Sequence, residues 1–218
     1  MNELDISTIL ASAIHESKNR IGTLLYHTHT IKNHQEMNTD IDQTVDTIEN
    51  ILKQLNDEWV EYLYLYKLST NGYNIHYETL DISEFLDDQV FVLSSSASSK
   101  NLSLTFTCEK KLYGVLDERL ITSAISTSVY NALRFAKKSI KISANKEDNF
   151  LVFTIEDDGP GFLNDEDDDF LFSENTGLGL YFCELSAQSH VVNEVKGYIS
   201  KGKSTQLGGA CLQISLPQ

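Results

Sequence analysis

The sequence predicts an α plus α/β protein of two consecutive domains, which we place at residues 1–72 and 73–218. The first seventy residues contain no proline, and their apolar positions recur at spacings of three and four, as on amphipathic helices. After Gly72, short runs that alternate between apolar and polar residues are interleaved with helical segments. This second pattern is typical of strands and helices that share one domain.

The N-terminal domain is predicted to be an antiparallel helical hairpin. A first apolar stripe spans residues 10–31, and turn and N-cap residues follow at 38–40. A second stripe spans residues 41–66 and is followed by a polar segment that closes with Gly72. Because two helices alone leave one side of such long stripes in water, we expect a homodimer in which two hairpins form a four-helix bundle.

The C-terminal domain is predicted to be an α/β sandwich. Period-two alternation marks strands at 102–107, 139–144 and 151–155, and the tail 210–216 is expected to be a final strand. One amphipathic helix is expected between Asp117, a suitable N-cap, and about Ala136, and another is expected to begin at Gly177.

Composition and charge argue against several classes of protein. The 218 residues carry 17 Lys and Arg against 32 Asp and Glu, a formal net charge of -15 at pH 7, and a field of this sign repels nucleic acids and anionic membranes. No stretch approaches the ~18 apolar residues of a spanning helix, and no basic leader precedes the first apolar patch, so we expect a cytoplasmic protein. The three cysteines lie far apart without C-x-x-C spacing, which favours buried thiols over disulfides or zinc ligands.

Two motifs rich in glycine accompany predicted elements. Asp157-x-Gly159-x-Gly161 follows a strand and places a carboxylate beside a turn tight enough for a planar ligand to reach the backbone. By itself, this pattern is also common in ordinary turns. Gly177-Leu178-Gly179-Leu180 opens a helix, where free N–H groups can meet an anion at the positive helix end. Glycines that permit close helix packing are an equally good interpretation.

Asn131 and Arg134 lie three residues apart and therefore share a face of the helix predicted from Asp117. An amide oxygen can coordinate Mg²⁺, and a guanidinium can bind phosphate oxygens. A lone asparagine near a helix end more often satisfies the helix C-terminus, so this alternative stays open.

His15 lies one residue beyond the stripe position Ile14, at the border of the predicted bundle, where a partner can reach it. Asn19 falls on the same helix face, and Glu16 is the next residue in the chain. The alternative interpretation is a surface histidine beside an ion pair between Glu16 and Arg20.

In this order, the motifs resemble the catalytic core of two-component sensor histidine kinases. In that family a dimerisation and phosphotransfer hairpin precedes an ATP-binding domain of the gyrase, Hsp90, kinase and MutL type, which has the Bergerat fold. The corresponding segments are the H-box at 15–19, the N-box at Asn131 and Arg134, the G1 box at 157–161, the G2 box at 177–180 and a final glycine motif at 208–210. The resemblance covers nearly the whole chain.

The resemblance implies a soluble, sensorless histidine kinase that autophosphorylates His15 from Mg-ATP and passes the phosphoryl group to an aspartate of a response regulator receiver domain. A separate sensor or input protein would deliver the signal. In this scheme Glu16 polarises the imidazole, and Asn19 positions a water or the acceptor during dephosphorylation. Asp157 would accept a hydrogen bond from the adenine amine, and Asn131 would ligate Mg²⁺. The other nucleotide contacts are expected from Arg134, Gly159, Gly161, Gly177 and Gly179.

Three departures from the family pattern bear on activity. Arg20 stands where a proline often follows the H-box, and Thr127 stands where the N-box normally has another asparagine. No Lys or Arg occurs between Lys146 and Lys196, so the segment that corresponds to the ATP lid is short and acidic. We therefore expect weak ATP affinity. Two alternatives follow: a phosphotransfer or adaptor protein that accepts phosphate from another carrier, and a response-regulator phosphatase that acts through Asn19.

Overall fold

The computed structural model describes residues 17–29, 31, 39–70, 72–162 and 178–218. The chain divides into two units, Met1–Tyr73 and Asn74–Gln218. The predicted site residues His15, Glu16 and Gly177 lie outside the described residues, as does most of the acidic segment that corresponds to the lid. No helix in the described part of the chain combines the length and apolar character needed to cross a membrane.

The N-terminal unit contains helix α1, described over residues 17–29, and helix α2, Thr39–Ser69. Helix α2 ends where predicted, because the hydroxyls of Ser69 and Thr70 donate to the Tyr66 carbonyl oxygen at 3.0 and 2.8 Å and compete with continued helix. The two helices approach each other where His29 Nδ1 lies 3.9 Å from Glu49 Oε1.

A single chain covers only part of the two apolar stripes. Ile21 and Val45 are buried, at 5% and 6% exposure. Other stripe residues remain exposed in both helices, namely Leu24, Ile31, Ile48 and Leu55. This uncovered apolar surface is what the predicted pairing with a second copy would bury.

The described part of the C-terminal unit contains three helices and nine strands. In chain order they are β1 Glu78–Asp81, α3 Ile82–Ser99, β2 Ser103–Cys108, β3 Tyr113–Leu116, α4 Glu118–Phe135, β4 Ser139–Glu147, β5 Phe150–Asp157, α5 Leu178–Gln188, β6 Val191–Val192, β7 Val195–Lys196, β8 Tyr198–Lys203 and β9 Ala210–Pro217. The main sheet has the order β2-β4-β5-β9-β8. It is mixed, because β2 runs parallel to β4 and the other neighbours are antiparallel.

Helices α3, α4 and α5 pack on one another and on the main sheet, which makes a two-layer sandwich. The core between the layers is formed by residues with no exposed surface, such as Leu86, Ile125, Ile142, Phe153 and Phe182. Phe85 of α3 meets Phe153 of β5 edge to face, with 5.9 Å between the ring centroids. The predicted α/β sandwich is therefore present.

The four predicted strands correspond to β2, β4, β5 and β9, and the two predicted helices correspond to α4 and α5. The cysteine prediction is correct only for Cys183, which is buried. Cys108 and Cys211 are half-buried, because the first ends the edge strand β2 and the second lies beside the polar residues of β9.

Candidate functional site

Strand β5 carries Asp157 at its end, and the protein backbone holds this carboxylate in place. Asp157 is 5% exposed, and its Oδ1 accepts hydrogen bonds from the N–H groups of Gly159 at 2.7 Å and Ala210 at 3.2 Å. The backbone oxygen of Asp157 accepts from Gly209 at 3.0 Å. Among the described residues, none donates a hydrogen bond to Oδ2. The carboxylate is thus fixed by one oxygen and offers the other to a ligand.

The turn after Asp157 is packed too closely to hold side chains. A Cβ atom built on Gly159 would lie 2.6 Å from the carbonyl oxygen of Phe135, at the end of α4. One built on Gly209 would overlap Asp157 Oδ1 and the Gly159 nitrogen. Gly161 has φ +90°, a left-handed conformation that strains other residues. The turn therefore packs its backbone directly against the end of α4 and the β8–β9 loop.

Asp158, the next residue, has a structural role that was not predicted from the sequence. Its Oδ1 accepts from three successive N–H groups, those of Lys137, Lys138 and Ser139, at 2.8, 3.0 and 3.2 Å. These backbone donors, with Lys138 first, hold the pKa of Asp158 below its usual value. Asp158 thereby ties the connection between α4 and β4 to the end of β5. The sequence carries one signal of this difference between Asp157 and Asp158. Adjacent residues at the end of a strand point to opposite sides of the sheet.

Helix α4 presents the predicted N-box residues beside this turn. Asp117 is its N-cap, as predicted, and accepts from the Leu120 N–H at 3.0 Å. Asn131 is half-buried, and its amide makes no hydrogen bond to the described residues. Asn131 does not act as the C-terminal cap of the helix. The helix ends instead with a hydrogen bond from the Ala136 N–H to the Ala132 carbonyl oxygen at 2.8 Å.

Arg134 lies at the solvent-exposed end of α4. Its guanidinium carbon is 5.9 Å from the centroid of the Phe135 ring. An exposed guanidinium beside the Gly159 turn can reach an anionic ligand without losing a buried contact.

Helix α5 begins at Leu178, directly after Gly177, and Gly179 is half-buried in its first turn. The helix lies close to α4, because Cys183 Sγ is 3.4 Å from Ser128 Oγ and 3.5 Å from the Ala124 carbonyl oxygen. Contacts thus link α4 both to α5 and to the Asp157 turn. Asn19 belongs to the other unit, where it is exposed on α1.

Protein ligands alone would not make a metal centre here. Over the residues that the structure describes, no group of three or more His, Cys, Asp and Glu side chains could hold a metal ion. Asn131 can supply one amide oxygen, so a Mg²⁺ ion at this place would take its remaining ligands from phosphate and water.

Residues 116–218 match the family model described as "Histidine kinase-, DNA gyrase B-, and HSP90-like ATPase". The match covers a little less than half of the 218 residues, and this C-terminal part of the chain is similar to ATPase domains of this type. Among curated relatives, the sensor histidine kinase CpxA of Escherichia coli K12 is 31% identical over 149 residues, which cover 62% of this chain and 30% of CpxA. The sensor protein SrrB of Staphylococcus aureus MRSA252 is 24% identical over 211 residues, which cover 88% of this chain and 36% of SrrB. The chain thus spans about a third of the length of these relatives.

Solved structures share the fold of the C-terminal unit. The histidine kinase AdeS of Acinetobacter baumannii superposes with a TM-score of 0.60 at 19% identity, covering 90% of this chain and 94% of AdeS. Full-length ShkA in complex with AMPPNP superposes with a TM-score of 0.66 at 17% identity, covering 95% of this chain and 45% of ShkA. The predicted gyrase, Hsp90 and histidine kinase type of α/β fold is confirmed for the C-terminal unit.

Proposed function

We propose that this chain binds Mg-ATP and acts as a protein-histidine kinase that phosphorylates His15 and then an aspartate of a receiver domain. One observation carries the proposal: the buried Asp157 carboxylate, whose Oδ1 is anchored by two backbone N–H groups while Oδ2 has no partner among the described residues. The match of residues 116–218 to histidine kinase-like ATPases supports the same conclusion.

The free Asp157 oxygen suits the exocyclic amine of adenine, which donates a hydrogen bond. Guanine presents a carbonyl oxygen at the equivalent position, so two acceptors would face each other and GTP would be disfavoured. The turn after Asp157 would hold the carboxylate in place for this contact, since the Gly159 N–H donates to Oδ1 at 2.7 Å. The solved relative ShkA was crystallised with the ATP analogue AMPPNP, which supports a nucleotide as the ligand.

Asn131 and Arg134 would meet the triphosphate end of the nucleotide. The Asn131 amide oxygen is free to ligate Mg²⁺, an ion that neutralises charge developing on the transferred phosphoryl group. Arg134 is exposed and can pair with phosphate oxygens. The N-terminus of α5, with Gly177 and Gly179, would add N–H donors at its positive end.

The transfer itself requires a nucleophile, and we assign this role to His15. A ring nitrogen of His15 attacks the γ-phosphorus in line, a nitrogen–phosphorus bond forms, and ADP leaves with the bridging oxygen and its electron pair. Glu16 would orient the ring and accept the proton of its other nitrogen. The phosphoryl group would then pass to an aspartate oxygen, and the ring would take its proton back from Glu16, which regenerates the neutral histidine. Asn19, exposed on α1, would position water for hydrolytic dephosphorylation.

Labelling with γ-³²P-ATP and Mg²⁺ tests this proposal. We expect acid-labile, base-stable label on the wild type, no label on His15→Gln, and wild-type labelling of His27→Gln. The last variant is a matched control, because it removes an exposed histidine of α1. Absence of label on the wild type would contradict the kinase proposal.

A phosphorelay protein is the second candidate, and the sequence between Lys146 and Lys196 favours it because no cation is present there to hold the triphosphate. A receiver domain phosphorylated on aspartate would then label His15 without ATP. Label transfer to the wild type but not to His15→Gln, together with no ATP binding by calorimetry, supports the relay over the kinase.

A further inference from the structure

A concavity of about 400 Å³ lies on the face of the main sheet opposite Asp157. Glu156 and Asp157 are consecutive in β5, so their side chains point to opposite faces of the sheet. Thr154 shares the face of Glu156, and the strand register places Ser143 of β4 and Gln213 of β9 on either side of it. These residues line the concavity, which is therefore distinct from the proposed nucleotide site.

Two buried polar side chains in this concavity have a hydrogen-bonding atom without a partner among the described residues. Glu156 is 5% exposed, and its Oε1 accepts from the Ser204 hydroxyl at 2.7 Å, whereas no described residue donates to Oε2. Thr154 is 8% exposed, and its hydroxyl forms no hydrogen bond within the described part of the chain. Because Thr154 and Glu156 are two positions apart in one strand, about 7 Å, one small ligand can reach both.

The lysines of β8 do not face Glu156. Lys201 and Lys203 lie on either side of Gly202, which lines the concavity, so their side chains point to the other face, towards the helices. The Lys201 Nζ accordingly lies 6.0 Å from the centroid of the Phe162 ring. A Cβ atom built on Gly202 would meet nothing within 4 Å. The wall of the concavity at β8 is therefore open and carries no cationic side chain.

Lys141 of β4 shares the face of Glu156 and is its cross-strand neighbour. Its Nζ donates to Gln206 Oε1 at 2.8 Å and forms no ion pair with Glu156, so Oε2 is left without a donor. The nearby Cys211 thiol is uncharged at neutral pH, because burial, with smaller contributions from neighbouring carboxylates, raises its pKa. A buried carboxylate in this setting favours a ligand with a positive charge and N–H donors.

A divalent metal ion fits this place less well than a monocation. The positive charge of Lys141 offsets the single charge of Glu156, which leaves little net charge to hold a divalent ion. In addition, no group of three or more His, Cys, Asp and Glu side chains in the described part of the chain could ligate a metal. The ligand expected is therefore an organic ion with one positive charge.

We infer that this concavity binds a small primary ammonium ion, a monocation with three N–H donors at one end. The ammonium would donate to Glu156 Oε2 and to the hydroxyl oxygens of Thr154 and Ser143, one acceptor for each N–H. Its organic end would lie at Gly202, where the volume is open. A volume of about 400 Å³ lies within the range of small-molecule pockets. The inference does not rest on nucleotide binding.

Titration of the full ¹⁵N-labelled chain with butylammonium chloride at constant ionic strength tests the inference. We expect saturable amide shifts confined to β4, β5, β8 and β9. Tetramethylammonium carries the charge without an N–H donor, and 1-butanol carries a donor without the charge, so each should bind at least about 10-fold more weakly. Equal binding of either control, or no saturation up to about 50 mM butylammonium, would overturn the inference.

Three variants locate the site, and a fourth is the matched control. Glu156→Gln keeps an acceptor for Ser204 but removes the charge, and should weaken butylammonium binding at least about 10-fold. Lys141→Met removes the neighbouring positive charge and should strengthen binding at least about 2-fold. Gly202→Leu places a side chain into the open volume and should abolish binding. Glu184→Gln, which removes an exposed charge on α5, should bind as the wild type does.

Thermal unfolding checks the fold of each variant. If Glu156→Gln does not fold, Gly202→Leu and Lys141→Met decide. Lost binding in the first and stronger binding in the second support the site, whereas unchanged binding in both contradicts it.

Discussion

Asp157 and Asp158 are adjacent residues of the same type, and their hydrogen bonds give them different roles. Asp157 shares one oxygen with two backbone N–H groups, and its other oxygen has no donor among the described residues, whereas Asp158 accepts from three N–H groups on one oxygen at the start of β4. Only the first is arranged to meet a ligand. Neutralising Asp157 therefore tests ligand binding, whereas neutralising Asp158 tests the connection between α4 and β4.

Asp157→Asn should weaken ATP binding by at least about 10-fold. The variant can keep Oδ1 for the Gly159 and Ala210 N–H groups, but its new amino group would face the adenine amine, donor against donor. Calorimetry with Mg-ATP measures the loss, and circular dichroism checks the fold. Asp148→Asn, which changes one charge in the β4–β5 turn, is the matched control. If Asp157→Asn binds Mg-ATP with wild-type affinity, the assignment of Asp157 to the nucleotide site is wrong.

His190 is a buried residue that the sequence analysis passed over. It has no exposed surface, its Nδ1 lies 2.8 Å from the Ser186 carbonyl oxygen, and its Nε2 accepts the Asp117 N–H at 3.0 Å. These partners define a neutral ring with its proton on Nδ1. Asp117 also accepts from the His76 N–H at 2.8 Å, so this network holds the beginning of the C-terminal unit against α4 and α5.

Acid should destabilise the fold through His190. Burial lowers the pKa of His190, so as pH falls below about 6.5 the unfolded chain binds a proton on this residue that the folded chain does not. The free energy of unfolding then decreases by at most about 1.4 kcal/mol per pH unit until the folded pKa is reached. Urea unfolding followed by circular dichroism at pH 7.5, 6.5 and 5.5 measures this slope.

His190→Gln isolates the contribution of this histidine. The variant should be less stable at pH 7.5 by about 1–3 kcal/mol, because hydrogen bonds at a buried site are lost or distorted. Its stability should also decline less steeply than that of the wild type between pH 6.5 and 5.5. Equal slopes for the two proteins would show that His190 does not titrate differently on unfolding.

At the scale of elements, the β8–β9 loop organises both faces of the sheet. Gly209 and Ala210 bond to Asp157 on the side of the helices, and Ser204 bonds to Glu156 on the other side. The Ser204 N–H donates to the Gly209 carbonyl at 2.8 Å and connects the two sets of contacts. The loop therefore positions two carboxylates that are consecutive in β5.

Gly209→Ala should disrupt the Asp157 turn. Its methyl group would overlap Asp157 Oδ1 and the Gly159 nitrogen, which cannot both move without breaking the turn. We expect a loss of stability of about 2 kcal/mol or more and loss of ATP binding, measured by thermal unfolding and calorimetry. Gly202→Ala, in the neighbouring strand, meets no atom within 4 Å and should keep both properties. Unchanged ATP affinity in Gly209→Ala would contradict the proposed role of the turn.

At the scale of the whole molecule, the exposed apolar residues of α1 and α2 predict a homodimer. Light scattering should give twice the chain mass of 24.6 kDa at micromolar concentration, because burial of these side chains at about 25 cal/mol per Å² favours association. Leu55→Glu should shift the protein towards the monomer, since it places a charge on the stripe. Lys53→Glu changes an exposed polar position and should remain dimeric. A stable wild-type monomer would contradict the four-helix bundle.

Local patterns in the sequence determined many of the main elements of this protein, but they did not place helix α3 or strand β8. Period-two alternation located β2, β4 and β5, the C-terminal tail was placed as the strand β9, and the N-cap Asp117 located the start of α4 within one residue. These elements obey local rules, because side-chain periodicity and capping depend on residues a few positions apart. The short strands β1, β3, β6 and β7 have two to four residues, too few to establish a period, and were not placed.

The order of the motifs also pointed to Asp157 and to the glycines around it. Only the tertiary structure decided how each polar group is used: the two N–H donors on Asp157 Oδ1, the partners of His190 and the unmatched oxygen of Glu156. Ala210 lies 53 positions from Asp157, Asp117 lies 73 from His190, and Ser204 lies 48 from Glu156. Periodicity carries no information about such pairs, because the packing of distant elements fixes which donor reaches which acceptor.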